Sequence, residues 1–418
     1  MFHLRSRASA SAVYLVIRTV AGFAFGLIVT VYALLYIQVA GFGPLQLVLV
    51  GTVLEAAYFL FEIPTGALAD TYSRRFSVIV GFAIVALAWM GQALVPVFLA
   101  IVVLEAIRGV GEAFLSGAQD AWIAGEVGDE AIGPLFMRGH QLSQAAWILS
   151  VPASVALGTI DVRIPMILGG ALFLCLATYL TVAMPERGFT RVPTAERSWK
   201  QIANTAREGS RVIRGRPILL SIVAIAFFGG LASEGTDRLR EAHFLTDLGL
   251  PAGLPAVVWF GIISIGMSSI SIAALQVLRP WLLRVVADDR AMARVLAAYT
   301  AAHLICQLAF AWAPGFALGL AARWSQAFLT SGSIADTWTI RQIDSSVRAT
   351  VLSMRGMLSG VGQVVGGPPV GAVGSIFGIR AALTASALLL LPVVVLYRRA
   401  GAFVRPRHVE VPAQDTAR

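Results

Sequence analysis

The chain has 418 residues, 57% apolar and 13% charged, with a formal charge of +9. At roughly 20 residues per membrane span, twelve spans would use about 240 residues, close to the apolar total, and a mean hydropathy of +0.78 excludes a soluble globular enzyme. Two cysteines, Cys175 and Cys306, each in an apolar run, exclude a disulfide framework and a thiolate metal site, and no basic face clusters as nucleic-acid binding requires.

Apolar stretches of spanning length fall at 12–37, 45–67, 76–94, 97–121, 138–158 and 164–184, and again at 217–242, 256–278, 291–311, 314–338, 349–372 and 378–398. The expected fold class is an all-α polytopic membrane protein of twelve transmembrane helices in two six-helix bundles. The first stretch follows Arg5 and Arg7 but is too long for a signal-peptide core, so it is read as a retained helix. Most basic residues flank the ends of spans on one side, which sets both termini in the cytoplasm and explains the positive charge as a topology signal. Arg163, Arg238, Arg240 and Arg380 then fall outside. Residues 1–184 form one bundle, 185–216 a polar cytoplasmic linker, 217–400 the second bundle and 401–418 a tail. Within the linker, 198–214 is either an amphipathic surface helix presenting Trp199, Ile202, Val212 and Ile213 to lipid or a plain solvated segment.

An internal repeat supports the two halves. Ala113-Phe-Leu-Ser-Gly, Asp120-Ala-Trp122 and Arg138 with Leu142 and Ser143 have ordered echoes in Ala327-Phe-Leu-Thr-Ser-Gly, Asp336-Thr-Trp338 and Arg348 with Leu352 and Ser353, at offsets of 214, 216 and 210. Helices 4 and 5 thereby correspond to helices 10 and 11. Two such halves describe a secondary transporter with its site between them.

After the second span comes Glu62-Ile-Pro-Thr-Gly66-Ala-Leu-Ala-Asp70-Thr-Tyr-Ser-Arg74-Arg75. This resembles the signature loop of the major facilitator superfamily, with Thr71 and Ser73 departing from its pattern, and the likeness in span count and repeat covers the whole chain. Gly66 is expected to permit close helix approach, and Asp70 to cap and pair at the inner face, with Arg74 and Arg75 holding the loop in the cytoplasm. The resemblance implies that Glu62, Gly66, Asp70, Arg74 and Arg75 latch an inner gate against the second half.

Helix 4 carries Glu105, Arg108 and Glu112 on one face. Three charges facing lipid would be costly, so this face either lines an aqueous cavity or forms a structural ion-pair stripe. Arg108-Gly-Val-Gly111-Glu-Ala resembles the helix 4 motif of proton-coupled family members, and the drug/proton antiporter branch is the nearest likeness. The antiporters' helix 5 glycine-proline signature is replaced here by Val151-Pro152-Ala-Ser-Val-Ala-Leu-Gly158.

Glu105, Arg108, Glu112 and Glu55 are the proton-coupling candidates; Arg18, Glu234, Asp237 and Arg323 are the transport-pathway candidates, with a Glu234–Arg238 outer-gate salt bridge an equal reading. In helix 11, Gly366, Gly367, Pro368 and Pro369 suggest a hinge. Phe23, Phe25, Tyr32, Trp259 and Trp324 are candidate aromatic cavity walls, and lone His303 is read as structural. The single lysine, Lys200, follows Ser198 and Trp199, so no phosphate loop exists and ATP does not drive transport directly.

The expected function is alternating-access, proton-coupled efflux of small hydrophobic or cationic compounds by a monomer in a bacterial cytoplasmic membrane. Its expected partners are a small-molecule substrate, protons and the lipid bilayer, without metal, cofactor, nucleic acid or enzymatic activity. A metabolite uniporter or proton symporter, and a non-transporting sensor or scaffold, are the alternatives.

Overall fold

The computed structural model describes residues 9–190, 211, 213–329, 332–344 and 347–403. The first half contains α1 (Ala10–Val39), α2 (Pro44–Thr71), α3 (Arg74–Leu94), α4 (Phe98–Leu115), α5 (Asp129–Gly158) and α6 (Arg163–Ala183). The second contains α7 (Pro217–Leu248), α8 (Ala256–Val286), α9 (Asp289–Ala311), α10 (Phe316–Phe328), α11 (Arg348–Phe377) and α12 (Ile379–Phe403). Short helices Ala118–Val127 and Gly332–Gln342 follow α4 and α10. The expected surface helix 198–214 lies outside the described residues except at 211, 213 and 214, and so does the tail from 404 onward.

Local chemistry sets the boundaries. Ser9 caps α1 by accepting from the Ala12 amide at 3.3 Å, and Ser73 caps α3 by accepting from Phe76 at 2.9 Å. Pro44 opens α2, where Gln46 Oε1 accepts from the Gly43 amide at 3.0 Å. Gly117, at φ +69°, turns the chain between α4 and its short helix, a conformation that disfavours a side chain.

Among the described residues, eight helices are long and apolar enough to cross a membrane. The other four are α4, α5, α10 and α11, the helices that carry the repeat. Glu105, Arg108 and Glu112 lower the hydropathy of α4, and Arg348, Arg355 and a run of glycines lower that of α11. Helices that face other protein can carry such residues.

The repeat is partly in register. Asp120-Ala-Trp122 and Asp336-Thr-Trp338 occupy the two short helices, where Trp122 and Trp338 are both buried. The third echo is not equivalent: α5 and α11 are both 30 residues long and start 219 residues apart. Arg348 therefore opens α11, whereas Arg138 lies well inside α5. Packing agrees, since Gly26 of α1 faces Ser150 and Gly235 of α7 faces Val370. A further correspondence is that α1 and α7 both end in a π-helical turn, Leu35–Val39 and Phe244–Leu248.

The halves meet at the end opposite the termini. There α2 packs on α7 and α11, and α5 packs on α8. A Cβ on Gly51 of α2 would overlap Glu234 Oε1 and Arg238 Nε of α7, one on Gly371 of α11 would stand 3.1 Å from Leu45 and Val48, and one on Gly158 of α5 would stand 2.9 Å from Val257 of α8. The Leu45 amide donates to Ser375 Oγ at 3.1 Å. Toward the terminus-bearing end, α2 and α11 part around a cleft of about 400 Å³ that Glu55, Tyr58, Phe59, Glu62 and Gly360 help line. At Gly66, Gly356 and Gly360 an added Cβ would meet nothing within 4 Å, so the close approach expected at Gly66 is absent here.

Two cysteine pairs in a background lacking Cys175 and Cys306 test this arrangement. Leu45→Cys with Ser375→Cys should cross-link under mild oxidation much faster than Phe59→Cys with Gly360→Cys; the reverse order would contradict it.

Candidate functional site

The signature segment is mostly helix, not loop. α2 continues through Gly66 and Asp70 to Thr71, leaving a two-residue turn before α3. Asp70 Oδ1 pairs with Arg74 Nη2 at 3.3 Å, and Arg74 Nη1 donates to the Ala121 carbonyl at 2.9 Å. Glu186, just past α6, accepts from Ser73 Oγ at 2.8 Å and from the Arg75 amide at 3.0 Å, and Arg75 Nη2 donates to the Thr181 carbonyl. These contacts tie α2, α3, the first short helix and α6 into one half; none of them reaches the second. The second half has a matching tie, where Arg341 of its short helix donates to the Val286 carbonyl and approaches Asp289 at 3.5 Å. Glu62 stands in the cleft between α2 and α11.

Glu105, Arg108 and Glu112 do share one face of α4. Glu105 and Arg108 are 1% and 5% exposed. Arg108 Nε lies 3.1 and 3.2 Å from the two Glu105 oxygens, its Nη2 lies 2.6 Å from Oε2, and its Nη1 reaches Glu112. From α3, Gln92 Nε2 donates to Glu105 Oε1 at 2.9 Å, while the Tyr36 hydroxyl donates to Gln92 Oε1 at 2.5 Å and sits 3.1 Å from Glu105 Oε1. The guanidinium lies 4.4 Å from the Trp89 ring centroid. Both oxygens of Glu105 are taken, and only Glu112 reaches the open space. This face is a satisfied ion-pair stripe inside the first half.

Glu55 lies between charge clusters of the two halves: Glu112 and Arg108 act on it from one, Glu234 and Arg238 from the other. It borders the cleft, and no ion pair or hydrogen bond holds its carboxylate among the described residues.

Glu234, 2% exposed, accepts from Arg238 Nε at 2.9 Å, and the pair packs on Gly51 across the junction of the halves. Arg238 and Arg240, at the outer end of the expected span 217–242, lie inside α7 with largely buried side chains. Arg18 packs against Gly139 of α5 and its Nε is buried without an acceptor among the described residues. α11 runs unbroken through Gly366, Gly367, Pro368 and Pro369. The glycines serve contact: a Cβ on Gly366 would lie 2.6 Å from the Leu231 carbonyl oxygen, and one on Gly367 would overlap Thr52 of α2.

A central cavity of about 200 Å³ lies between the halves, bounded by Thr30 of α1, Trp147 of α5, Arg240, Glu241 and Phe244 of α7, Phe260, Ser264 and Ser268 of α8, and Arg323 of α10. Arg240 pairs with Asp237 at 3.2 Å and Glu241 at 2.7 Å. Glu241 Oε2 is buried with no partner among the described residues. The expected aromatic walls Phe23, Phe25, Tyr32, Trp259 and Trp324 are not among its lining residues; Trp147, Phe244 and Phe260 are. Below the cavity, His243 is fully buried, with Nδ1 2.7 Å from Asp247 Oδ2 and Nε2 3.0 Å from the Phe310 carbonyl. Sequence reasoning missed Arg240, Glu241 and His243, whose only signal was their place in the last turns of α7.

Two six-helix halves, joined at one end and enclosing a charged cavity, define the architecture of a multi-pass membrane carrier. No family model matches the chain. It is 22% identical over 385 residues, 90% of this chain and 92% of the other, to YxaM of Bacillus subtilis (strain 168), an uncharacterised MFS-type transporter. Among solved structures it is similar to a mutant of the nucleoside transporter NupG (TM-score 0.74, 15% identity, 95% of this chain and 100% of that one). It is also similar to an inward-facing, occupied bacterial homologue of the human lysosomal transporter Spinster (0.72, 13%, 94% and 96%) and to a D-xylose-proton symporter (0.63, 15%, 92% and 98%). The chain has the fold of MFS-type transporters.

Removing one partner of a fully buried ion pair costs about 3–5 kcal/mol. Arg108→Ala should therefore lower the melting temperature of the detergent-purified protein far more than Glu112→Gln, whose carboxylate reaches open space. Equal, small shifts would remove Arg108 from the core of the first half.

Proposed function

We propose that the chain is a proton-coupled secondary transporter of a small polar solute in a bacterial cytoplasmic membrane, with transport domains at 1–184 and 217–400. One observation carries this reading: the halves touch at one end, part at the other, and enclose charged side chains between them. Rocking the halves about the joined end would close the cleft and open the far side, as alternating access requires.

Charge favours a polar solute. Arg240, Glu241 and Arg323 border the cavity, and its 200 Å³ falls below the roughly 300–1,000 Å³ typical of a site for a drug-sized ligand. The symporter alternative fits this cavity better than efflux of hydrophobic compounds. Efflux of small amphipathic compounds remains the second reading, supported by the Trp147, Phe244 and Phe260 walls.

For coupling, Glu55 is the carboxylate best placed to take up and release a proton, since it borders the cleft without an ion pair and faces charge clusters of both halves. Glu105 is engaged on both oxygens, so it supports the half instead, with Glu112 as its link to the cleft. Gly66, Glu62 and Asp70 form the surface that would meet α11 when the cleft closes.

Reconstitution into proteoliposomes with an internal pH dye, over a panel of radiolabelled solutes, tests the proposal. An imposed proton gradient should drive accumulation of at least one solute. Glu55→Gln should abolish that accumulation yet leave solute counterflow intact. Unchanged gradient-driven uptake by the variant would remove Glu55 from coupling, and absence of any flux across the panel would overturn the transporter reading.

A further inference from the structure

The two halves treat their helix 4 arginines differently. In the first half, Gln92 of α3 meets Glu105 of α4, which neutralises Arg108. At the matching α9–α10 pair of the second half, Gln307 meets a second amide: Gln326 Nε2 donates to Gln307 Oε1 at 2.8 Å, and Gln326 Oε1 accepts from Arg323 Nη1 at 2.6 Å. Gln307 Nε2 in turn donates to Thr236 Oγ1 at 3.0 Å. The carboxylate of the first half is replaced by neutral amides, which position Arg323 without cancelling its charge.

The surrounding acids pair with another arginine, although one oxygen of Glu241 has no partner among the described residues. Asp237 and Glu241 both pair with Arg240, and among the described residues no carboxylate pairs with Arg323. One guanidinium N–H goes to Gln326 and the others have no protein acceptor there, although Arg323 borders the central cavity. A desolvated cation without a counter-ion is costly in a membrane protein, and a guanidinium fork matches a planar or tetrahedral oxyanion in two-point geometry. Ser264 and Ser268, one turn apart on α8, add hydroxyl donors to the same cavity, while Trp147, Phe244 and Phe260 offer apolar wall.

We propose that the transported solute is a small organic anion, a carboxylate or a phosphate ester, whose oxyanion is held by Arg323 with Ser264 and Ser268. This deepens the transporter reading and rests on it. The apolar walls take the organic body, and a 200 Å³ cavity limits that body to a small one.

The test is thermal unfolding of the full-length protein in detergent with four ligand sets: C2–C9 carboxylates including lactate and benzoate, phosphate esters including glycerol phosphate, the matched neutral amides and alcohols, and quaternary ammonium ions. At least one oxyanion should raise the melting temperature saturably, and its neutral counterpart should not. The set that responds identifies carboxylate or phosphate. Arg323→Gln should weaken the binding midpoint roughly 10- to 100-fold, the value of a charge-assisted hydrogen bond of about 1.5–3 kcal/mol. Arg323→Lys should retain part of the affinity, and Ser264→Ala with Ser268→Ala should weaken binding without loss of fold.

A response to cations or neutral compounds alone, no response in any set, or an unchanged midpoint in Arg323→Gln would each overturn the proposal. Proteoliposome flux separates the two readings. Anion binding without flux would overturn transport and leave the anion site standing. Flux of a neutral or cationic solute that survives Arg323→Gln would leave transport standing and overturn the anion site.

Discussion

A charge between apolar helices must find a partner, and that requirement organises this molecule. Glu105 and Arg108 meet it inside the first half with Gln92 and Tyr36 completing the shell. Glu234 and Arg238 meet it at the junction of the halves, where only a glycine on α2 leaves room for them. Arg240 draws Asp237 and Glu241 together beside the central cavity. Each satisfied pair fixes helices relative to one another, so rigid halves and a defined junction follow from the same electrostatic demand. Among the described residues the demand is left open at the Arg323 guanidinium, as it is at Arg18 and Glu55.

The halves share a plan and differ in its chemistry. Each has a short helix after its fourth span with a buried tryptophan, a π turn closing its first span, and an arginine tying the turn after its second span to that short helix. Where the first half places acid and arginine, the second places amides and arginine. One half is thereby internally neutralised at its fourth helix and the other keeps a charge for the space between them.

Much of the fold was legible in sequence because lipid imposes a coarse rule: long apolar runs must be helices. The twelve helices fall where the runs lie, and departures come at the ends: α2, α5 and α8 extend beyond their apolar stretches, while α4 and α10 stop at Leu115 and Phe328 and leave the rest of theirs to the two short helices. The repeat was legible in its short helices, where Trp122 and Trp338 are both buried, and misleading at Arg138 and Arg348, because an Arg-x-x-x-Leu-Ser match does not fix where a helix begins. Glu105, Arg108 and Glu112 announced themselves through i, i+3 and i+7 spacing. Arg240 and Glu241 did not: charges within two turns of a span's end resemble ordinary loop residues, although the α-helix runs past them to His243. The aromatic walls were missed because which face of a helix meets a cavity depends on packing between halves.

The junction of α2 with α7 and α11 also fixes a mechanical ratio. Gly51 lies eight residues into the 28-residue α2, and Gly367 lies ten residues from the end of the 30-residue α11. At 1.5 Å per residue, α2 has a short arm of about 10 Å beyond Gly51 and a long arm of about 30 Å toward the cleft. With Gly51 as fulcrum, a slip of one ångström at the crowded end would swing the far end of α2, at Thr71, by about three. The crowded end at Gly51, where Glu234 and Arg238 pack, is thus the part of α2 that moves least in any such rotation.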